Sequence, residues 1–213
     1  MIGLSLPDGP LEVLCLGAHP DDIEIGCGGT LLKLTAAHEL RVTVVIMTAA
    51  TPERRAEAIV SAAEFFTGVD VDVQFGELPD GRLPAHWDRV KLLLHEIGAT
   101  SRPQLIFAPR TDDAHQDHRL IGELIPTVWR NSLTLHYEIP KWDGDLGRVS
   151  HYVALSEEIA ARKVALLEKC FPSQAGRDWW NGETFLSLMR LRGIECRVKY
   201  AEGFVANKVL LDS

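Results

Sequence analysis

Short apolar runs alternate with helical patterns along most of this 213-residue chain, and few folds accommodate that order. The run RVTVVIMTAA at 41–50 is β-branched and continuous enough to be buried on both faces, as central strands of parallel sheets are. A helix is predicted directly after it, with Thr51 as N-cap, Pro52 in the first turn and Gly68 at its end. This alternation favours an α/β fold in which helices cover both faces of a mostly parallel sheet.

The remaining chain continues this order without an internal repeat or a linker. Further strands are predicted at 11–18, 71–78, 104–110, 133–140, 150–156 and 200–210. Further helices are predicted at 28–40, at 85–100, at 118–130, where Pro126 marks a kink or an early stop, and at 156–170. The stretch 171–185 is the least regular and is interpreted as a long loop. We therefore expect one domain over residues 1–213.

Composition argues against several partners and compartments. The formal net charge of −8 is unfavourable for a protein whose main partner is a nucleic acid. We expect no signal peptide, because the N-terminus lacks a basic region followed by a long apolar stretch and a small-residue cleavage site. We expect no transmembrane segment, because no window approaches the roughly 20 apolar residues that span a bilayer. The four cysteines form no CxxC pair, which indicates a reduced, cytoplasmic protein. Small α/β enzymes often self-associate, so a homo-oligomer is compatible with the sequence.

Two polar segments interrupt this pattern, HPDD at 19–22 and HQDH at 115–118. Each follows a predicted strand, the first and the fourth along the chain. In the common doubly wound order these strands are neighbours, and ligand crevices form outside their carboxyl ends. We therefore expect the two segments to face each other across one cleft.

The residue types in these segments favour a metal site. Imidazoles and carboxylates without a thiolate suit zinc or another borderline divalent ion. A catalytic zinc keeps about three protein ligands, which His19, Asp22 and His118 could supply. Asp21, next to the ion but not on it, would then be a general base for water.

Other residues of the two segments have more than one interpretation. A carboxylate such as Asp117 beside His115 favours a cationic imidazole, which could stabilise an oxyanion and protonate a leaving nitrogen. Either segment alone is also explained without a metal, because Asp and Pro are turn residues and a helix N-terminus favours Asp. The glycines of GCGGT at 26–30 could cradle a phosphate, although close helix–sheet packing suits their spacing better.

Two rival functions remain open at this point. Clustered Asp and His also build metal-dependent phosphoesterases, in which two ions lie about 3.5–4 Å apart. Asp112, Asp113 and Asp117 could add ligands for a second ion. The other rival is a non-catalytic binding domain of the same fold that holds the metal.

The chain resembles the LmbE-like (PIG-L-type) family of zinc-dependent de-N-acetylases, which act on N-acetylglucosamine-type sugars. The segment AHPDD at 18–22 and the HxDH pattern at 115–118 carry the resemblance, which covers nearly the whole chain. It implies a Rossmann-like three-layer sandwich with a mostly parallel central sheet. Ile23 stands where the family often has Glu, and Glu24 follows it, which leaves the ligand positions unchanged.

The resemblance also implies roles for individual residues. It implies three zinc ligands, which are His19, Asp22 and His118. Asp21 would be the general base, and His115, supported by Asp117, would assist the transition state and the departing amine. Arg54 and Asp80 would touch sugar hydroxyls. Arg54 could equally form a surface salt bridge with Glu57, and Asp80 could be a turn residue.

The implied reaction is hydrolysis of an acetamide. A Zn2+-activated water, with Asp21 as base, would remove the N-acetyl group from an N-acetylglucosamine-type amino sugar or its conjugate. The partner would be a small N-acetylated molecule. Trp142, Trp179 and Trp180 could stack on its ring or pin an irregular loop to the core.

Overall fold

The computed structural model describes residues 1–48, 51–206 and 208–210. Within them seven strands form one sheet, β1 Leu11–Gly17, β2 Leu40–Thr48, β3 Val71–Leu78, β4 Leu105–Pro109, β5 Leu133–Tyr137, β6 His151–Leu155 and β7 Tyr200–Val205. Six α-helices accompany it, α1 Asp22–Ala37, α2 Pro52–Phe65, α3 Trp87–Thr100, α4 Gln116–Val128, α5 Glu157–Cys170 and α6 Gly182–Cys196. Residues 49–50 of the second predicted strand, 207 of the last one and 211–213 of the predicted domain lie outside the described residues.

The strand order is β3-β2-β1-β4-β5-β7-β6. The first five of these strands are mutually parallel, whereas β7 runs antiparallel to β5 and to β6. The predicted mostly parallel sheet is therefore confirmed, and so is the neighbourhood of β1 and β4. Their carboxyl ends lie side by side, where the chain changes direction across the sheet. That a single domain spans 1–213 stays a prediction.

Side chains of β1 alternate between two separate cores. Val13 and Cys15 pack into one apolar cluster with α1, α2, α5 and the start of α6. Leu14 and Leu16 pack into the other, beneath α3 and α4. This period of two, on a strand buried on both faces, produces the three layers.

Glycines let α1 lie close to the sheet and to its neighbours. A Cβ on Gly26 would lie 2.2 Å from the ring of Tyr137, and one on Gly28 would lie 2.6 Å from Phe65. The packing interpretation of GCGGT is therefore confirmed. The helix begins at Asp22, six residues earlier than predicted, because these glycines belong to its interior rather than to a loop before it.

Two further differences from the predictions concern helices. The helix α6 occupies the end of the predicted loop and continues to Cys196. Periodicity did not reveal it, because its apolar residues surround the axis: Phe185 and Met189 are buried, whereas Leu191 and Ile194 are exposed. Pro126 lies inside α4, which continues to Val128.

Among the described residues, none of the helices combines the length and apolar character that crossing a bilayer requires. The four cysteines are buried free thiols.

Candidate active site

The eight predicted site residues lie at one edge of the sheet, beyond the carboxyl ends of β1 to β4. His19, Asp21 and Asp22 follow β1, and Arg54 lies in the first turn of α2. Asp80 follows β3. The remaining three, His115, Asp117 and His118, form the start of α4 directly beyond β4.

Three donor atoms converge between the turns after β1 and β4. His19 Nδ1 lies 3.2 Å from His118 Nε2, which in turn lies 3.3 Å from Asp22 Oδ2. His19 Nδ1 and Asp22 Oδ2 are 3.5 Å apart. Ligand atoms held about 2.0–2.2 Å from one tetrahedral zinc ion are separated by about 3.3–3.6 Å. The triangle therefore fits one face of a zinc coordination tetrahedron, and the three residues form a group that could hold a metal ion.

The outer nitrogen of each imidazole faces a carboxylate. His19 Nε2 lies 2.8 Å from Asp80 Oδ1, and His118 Nδ1 lies 3.1 Å from Asp113 Oδ2. An imidazole that donates its outer N–H to a carboxylate presents the lone pair of the inner nitrogen. Two lone pairs and one carboxylate oxygen thus point at the same place, which requires a proton or a cation.

The charges around the triangle favour a cation. Burial lowers the pKa of His118, but the carboxylates of Asp22 and Asp113 outweigh it and raise the pKa to about 9. Burial likewise opposes the positive charge on His19, and Asp22 raises the pKa of that ring well above its usual value. Because the same carboxylates attract a metal ion, the site favours a divalent cation over an empty electron-rich pocket.

Hydrogen bonds fix the turn after β1. Asp22 Oδ2 accepts from the backbone N–H groups of Ala18 and His19, each at 2.8 Å. The Thr48 hydroxyl at the end of β2 donates to the Ala18 carbonyl at 2.7 Å. The Tyr137 hydroxyl on β5 donates to the carbonyl of Leu16. The fold itself therefore fixes the orientation of the Asp22 carboxylate.

Asp21 occupies a strained and buried position. Its φ of 128° lies in the region that favours glycine, which costs about 1–3 kcal/mol for other residues. Arg54 Nη2 lies 2.8 Å from Asp21 Oδ2 and also donates to the Pro20 carbonyl. Burial raises the pKa of Asp21 and Arg54 lowers it, with a net value of about 6. Such strain persists only where the surrounding structure imposes it, and active sites are common places for it.

Arg54 and Glu57 connect the site to the segment after α5. Glu57 is buried, accepts from Arg54 Nη1 at 2.7 Å, and also accepts from the backbone N–H and the hydroxyl of Ser173. The alternative of a salt bridge between Arg54 and Glu57 is therefore confirmed, but the pair is largely buried rather than on the surface, because a neighbouring segment covers it. The contact of Arg54 with sugar hydroxyls stays a prediction.

The environment of His115 differs from the expected one. The Asp117 carboxylate is fully buried and accepts from the backbone N–H groups of Gly81 and Leu83 at 2.8 and 3.0 Å. The link between Asp117 and His115 runs through the backbone instead, since the N–H of Asp117 donates to His115 Nδ1 at 3.2 Å. Burial and the neighbouring His118 lower the pKa of His115, and Asp117 only partly opposes them. The ring therefore favours its neutral form, with the proton on Nε2, rather than the cation that the sequence indicated.

His19, His115 and Asp117 form a second group of potential ligands. This group shares His19 with the first one, and the outer nitrogen of His19 already faces Asp80. Two separate ions would therefore have to share one imidazole through its two nitrogens, which requires the ring to lose both N–H protons. The described residues favour one ion over the pair that a two-metal phosphoesterase requires.

The tryptophans divide between core and surface. Trp180 is buried against Phe171 and Phe185, with ring centroids 5.8 and 5.2 Å apart. Trp142 is exposed, and its Nε1 donates to Asp178 at 2.9 Å. Trp180 therefore attaches the irregular stretch 171–185 to the core, which was one of the two interpretations of the tryptophans.

The sequence model of the PIG-L family, GlcNAc-PI de-N-acetylase, matches residues 14–129, which is more than half of the chain and includes both polar segments. The chain belongs to the PIG-L family. The uncharacterized deacetylase YaiS of Escherichia coli K12 is 26% identical to it, in a match that covers 74% of this chain and 89% of YaiS.

Solved structures share the fold of this PIG-L chain. N,N'-diacetylchitobiose deacetylase from Pyrococcus horikoshii, in complex with an inhibitor, is 22% identical with a TM-score of 0.67, over 92% of this chain and 83% of that one. The 4-carboxy-2-hydroxymuconate hydratase GalB from Pseudomonas putida KT2440 is 16% identical with a TM-score of 0.76, over 95% and 98%. The fold therefore accommodates more than one reaction, and the function must be argued from the site.

Two functional contacts in this PIG-L site were not predicted. Asp113, considered only as a ligand for a second ion, instead faces the outer nitrogen of His118. Lys141, which follows β5, lies 3.0 Å from Asp113 Oδ1. Asp113 stands two residues before the HxDH pattern and could have been found by its spacing, whereas no local signal identifies Lys141.

Proposed function

We propose that the protein is a zinc-dependent N-deacetylase that hydrolyses the acetamide of an N-acetylglucosamine-type sugar or its conjugate. Membership of the PIG-L family supports the reaction class. The observation that carries the proposal is the triangle of donor atoms from His19, Asp22 and His118, with edges of 3.2, 3.3 and 3.5 Å. When bound there, zinc supplies Lewis-acid chemistry that polarises an amide carbonyl and makes water a better nucleophile.

Asp21 is the proposed general base. It adjoins the ligand Asp22, and its pKa of about 6 leaves it ionised at neutral pH yet basic enough to accept a proton. Arg54 lies 2.8 Å from one carboxylate oxygen, and we propose that the other oxygen takes a proton from water as the water attacks the amide. Protonated Asp21 then passes that proton to the departing nitrogen, and the products are a free amine and acetate.

His115 is the proposed oxyanion donor. Its Nδ1 accepts from the backbone N–H of Asp117, which places the proton of the neutral ring on Nε2. The ring stacks on His118 at a centroid distance of 4.6 Å. A neutral N–H donor at this position stabilises the negative charge that develops on the acetamide oxygen, an effect worth several kcal/mol in comparable sites.

The substrate class follows from the family rather than from the pocket. The family description names GlcNAc-PI, and a structural neighbour acts on diacetylchitobiose. Both are N-acetylglucosamine conjugates, so we propose a small sugar of that class for this chain. Arg54 and Asp80 remain the proposed contacts with its hydroxyls, and a cytoplasmic location is proposed from the cysteine pattern.

A panel assay tests the proposal. Purified protein is loaded with one equivalent of zinc and incubated with N-acetylglucosamine, diacetylchitobiose and other N-acetylglucosamine conjugates, while amine and acetate are both measured. We expect equal amounts of the two products, and none with chelator-treated protein.

The rival functions predict different results in the same assay. Hydrolysis of a phosphate ester, with two metal ions per chain, would identify a phosphoesterase. One retained zinc without any product from the panel would identify a binding domain. A hydratase shares the fold, so the assay also includes an unsaturated acid. Addition of water to that acid would identify a hydratase.

A further inference from the structure

The side chain of Lys141 is largely covered next to the candidate metal site, although the residue belongs to none of the predicted segments. Its amine lies 3.0 Å from Asp113 Oδ1 and 3.1 Å from Asp145 Oδ2, and the side chain is only 9% exposed. Lysine is almost never so buried unless it is paired. The two carboxylates provide that pairing, and Asp143, at 3.8 Å, adds a third.

Asp113 lies between Lys141 and the ligand His118. One oxygen faces Lys141 and also accepts the His115 backbone N–H at 2.8 Å. The other oxygen lies 3.1 Å from His118 Nδ1. Because the side chain is 3% exposed, little water competes for either oxygen. The carboxylate is therefore held at both ends, and its plane determines the orientation of the imidazole.

A second contact attaches the segment of Lys141 to the same turn. Asp145 accepts the Ala114 backbone N–H at 2.7 Å, beside its pairing with Lys141. Asp145 thus holds the backbone of the turn, whereas Lys141 holds the side chain that touches the ligand. Both contacts use Asp145 Oδ2, so they belong to one network around the turn.

We propose that Lys141 is a positioning residue that orients the metal ligand His118 through Asp113. The proposal rests on the metal site of the proposed function. Without the amine, one oxygen of Asp113 keeps only the backbone N–H of His115, and the carboxylate can rotate. His118 Nε2 then occupies a wider range of positions, and fewer of them complete the ligand triangle.

Zinc affinity measured by competition with a chelator tests this chain of contacts. The proteins are wild type, Lys141→Met, Asp113→Asn and the double variant. Loss of an outer carboxylate partner weakens metal binding about 10–100-fold, which we expect for Asp113→Asn. Lys141→Met should weaken it about tenfold, at the lower end of that range. The double variant should be no weaker than Asp113→Asn alone.

Controls separate positioning from charge and from folding. Lys141→Arg keeps the charge and should recover most of the affinity. Lys169→Met removes an exposed lysine paired with Glu64 at 2.6 Å and should change nothing. Thermal unfolding of the metal-free proteins shows whether each variant is folded. If Lys141→Met is not, Lys141→Gln takes its place in the same cycle.

Several outcomes would overturn the proposal. Unchanged or tighter zinc binding by folded Lys141→Met would mean that the amine only repels the ion. Additive losses in the double variant would mean that Lys141 does not act through Asp113. If wild type itself retains no stoichiometric zinc, the proposed metal site fails instead, which distinguishes the two proposals.

Discussion

The turns after β1 and β4 each contribute one imidazole to the triangle of potential metal ligands, but they hold it differently. The His19 side chain is 18% exposed, and the side chain of its partner Asp80 is 71% exposed. The side chains of His118 and its partner Asp113 are both 3% exposed. Water therefore competes for the first pair and hardly for the second, so the turn after β4 is the firmer anchor for an ion.

The two turns also differ in backbone strain. Asp21, in the turn after β1, has a φ of 128°, whereas no residue from 110 to 118 has a positive φ. The turn that presents the proposed base is thus the strained one, although Asp21 itself is buried. The other turn is unstrained, and it presents both the proposed ligand His118 and the proposed oxyanion donor His115. This division suggests that positioning the proton acceptor required an unfavourable backbone, while positioning the ion did not.

The largest expected effect distinguishes the two proposed roles of the turn after β1, proton acceptance by Asp21 and metal binding by Asp22. Asp21→Asn should reduce turnover about 10²–10⁴-fold, because general acid–base catalysis contributes a factor of that size. The variant should still bind zinc. Asp22→Asn, one residue away, should weaken zinc binding itself. Turnover with the substrate panel and metal content after dialysis measure the two effects. Normal hydrolysis by zinc-loaded Asp21→Asn would contradict the proposed base.

Substitution of the carboxylates that face the outer imidazole nitrogens, Asp80 and Asp113, compares the two turns directly. Asp113→Asn should weaken zinc binding about 10–100-fold, whereas Asp80→Asn should weaken it less than about tenfold, since solvent can replace an exposed partner. Chelator competition on both variants gives the ratio. Equal losses would show that burial of the partner does not decide its contribution.

Arg54 should determine the acidic limit of activity. Asp21 must be ionised to act, so activity should fall as the pH drops below about 6. Arg54 lowers the pKa of Asp21; removing it in Arg54→Met therefore raises that pKa and moves the acidic limb of kcat/KM to higher pH by about one unit or more. Arg54→Lys keeps a charge and should move it less. If the acidic limb of kcat/KM lies at the same pH in Arg54→Met as in the wild type, a group other than Asp21 determines it.

The smallest expected effect measures the strain at Asp21. Asp21→Gly and Asp21→Ala both remove the buried carboxylate, but only glycine tolerates a φ of 128° without strain. We expect the glycine variant to be the more stable by about 1–2 kcal/mol in denaturant unfolding. Equal stabilities would mean that the backbone at this position relaxes when the side chain is removed.

The local sequence pattern was enough to predict that the turns after β1 and β4 lie side by side. The β-branched run of β2 and the apolar run of β1 indicated parallel strands, and the carboxyl ends of such strands lie at one edge of a sheet. Neighbouring positions for β1 and β4 then brought His19 and His118 together, and the imidazole nitrogens lie 3.2 Å apart. Residue type supplied the rest of the metal hypothesis.

Pairings between distant segments were decided only by the tertiary structure. The sequence did not indicate that Arg54 pairs with Asp21 or that Asp80 faces His19. It gave no indication that Lys141 meets Asp113, because β5 and its following segment must first be docked beside β4. Strand and helix periods record which face of an element is buried, but the partner of a buried charge depends on how those elements pack together.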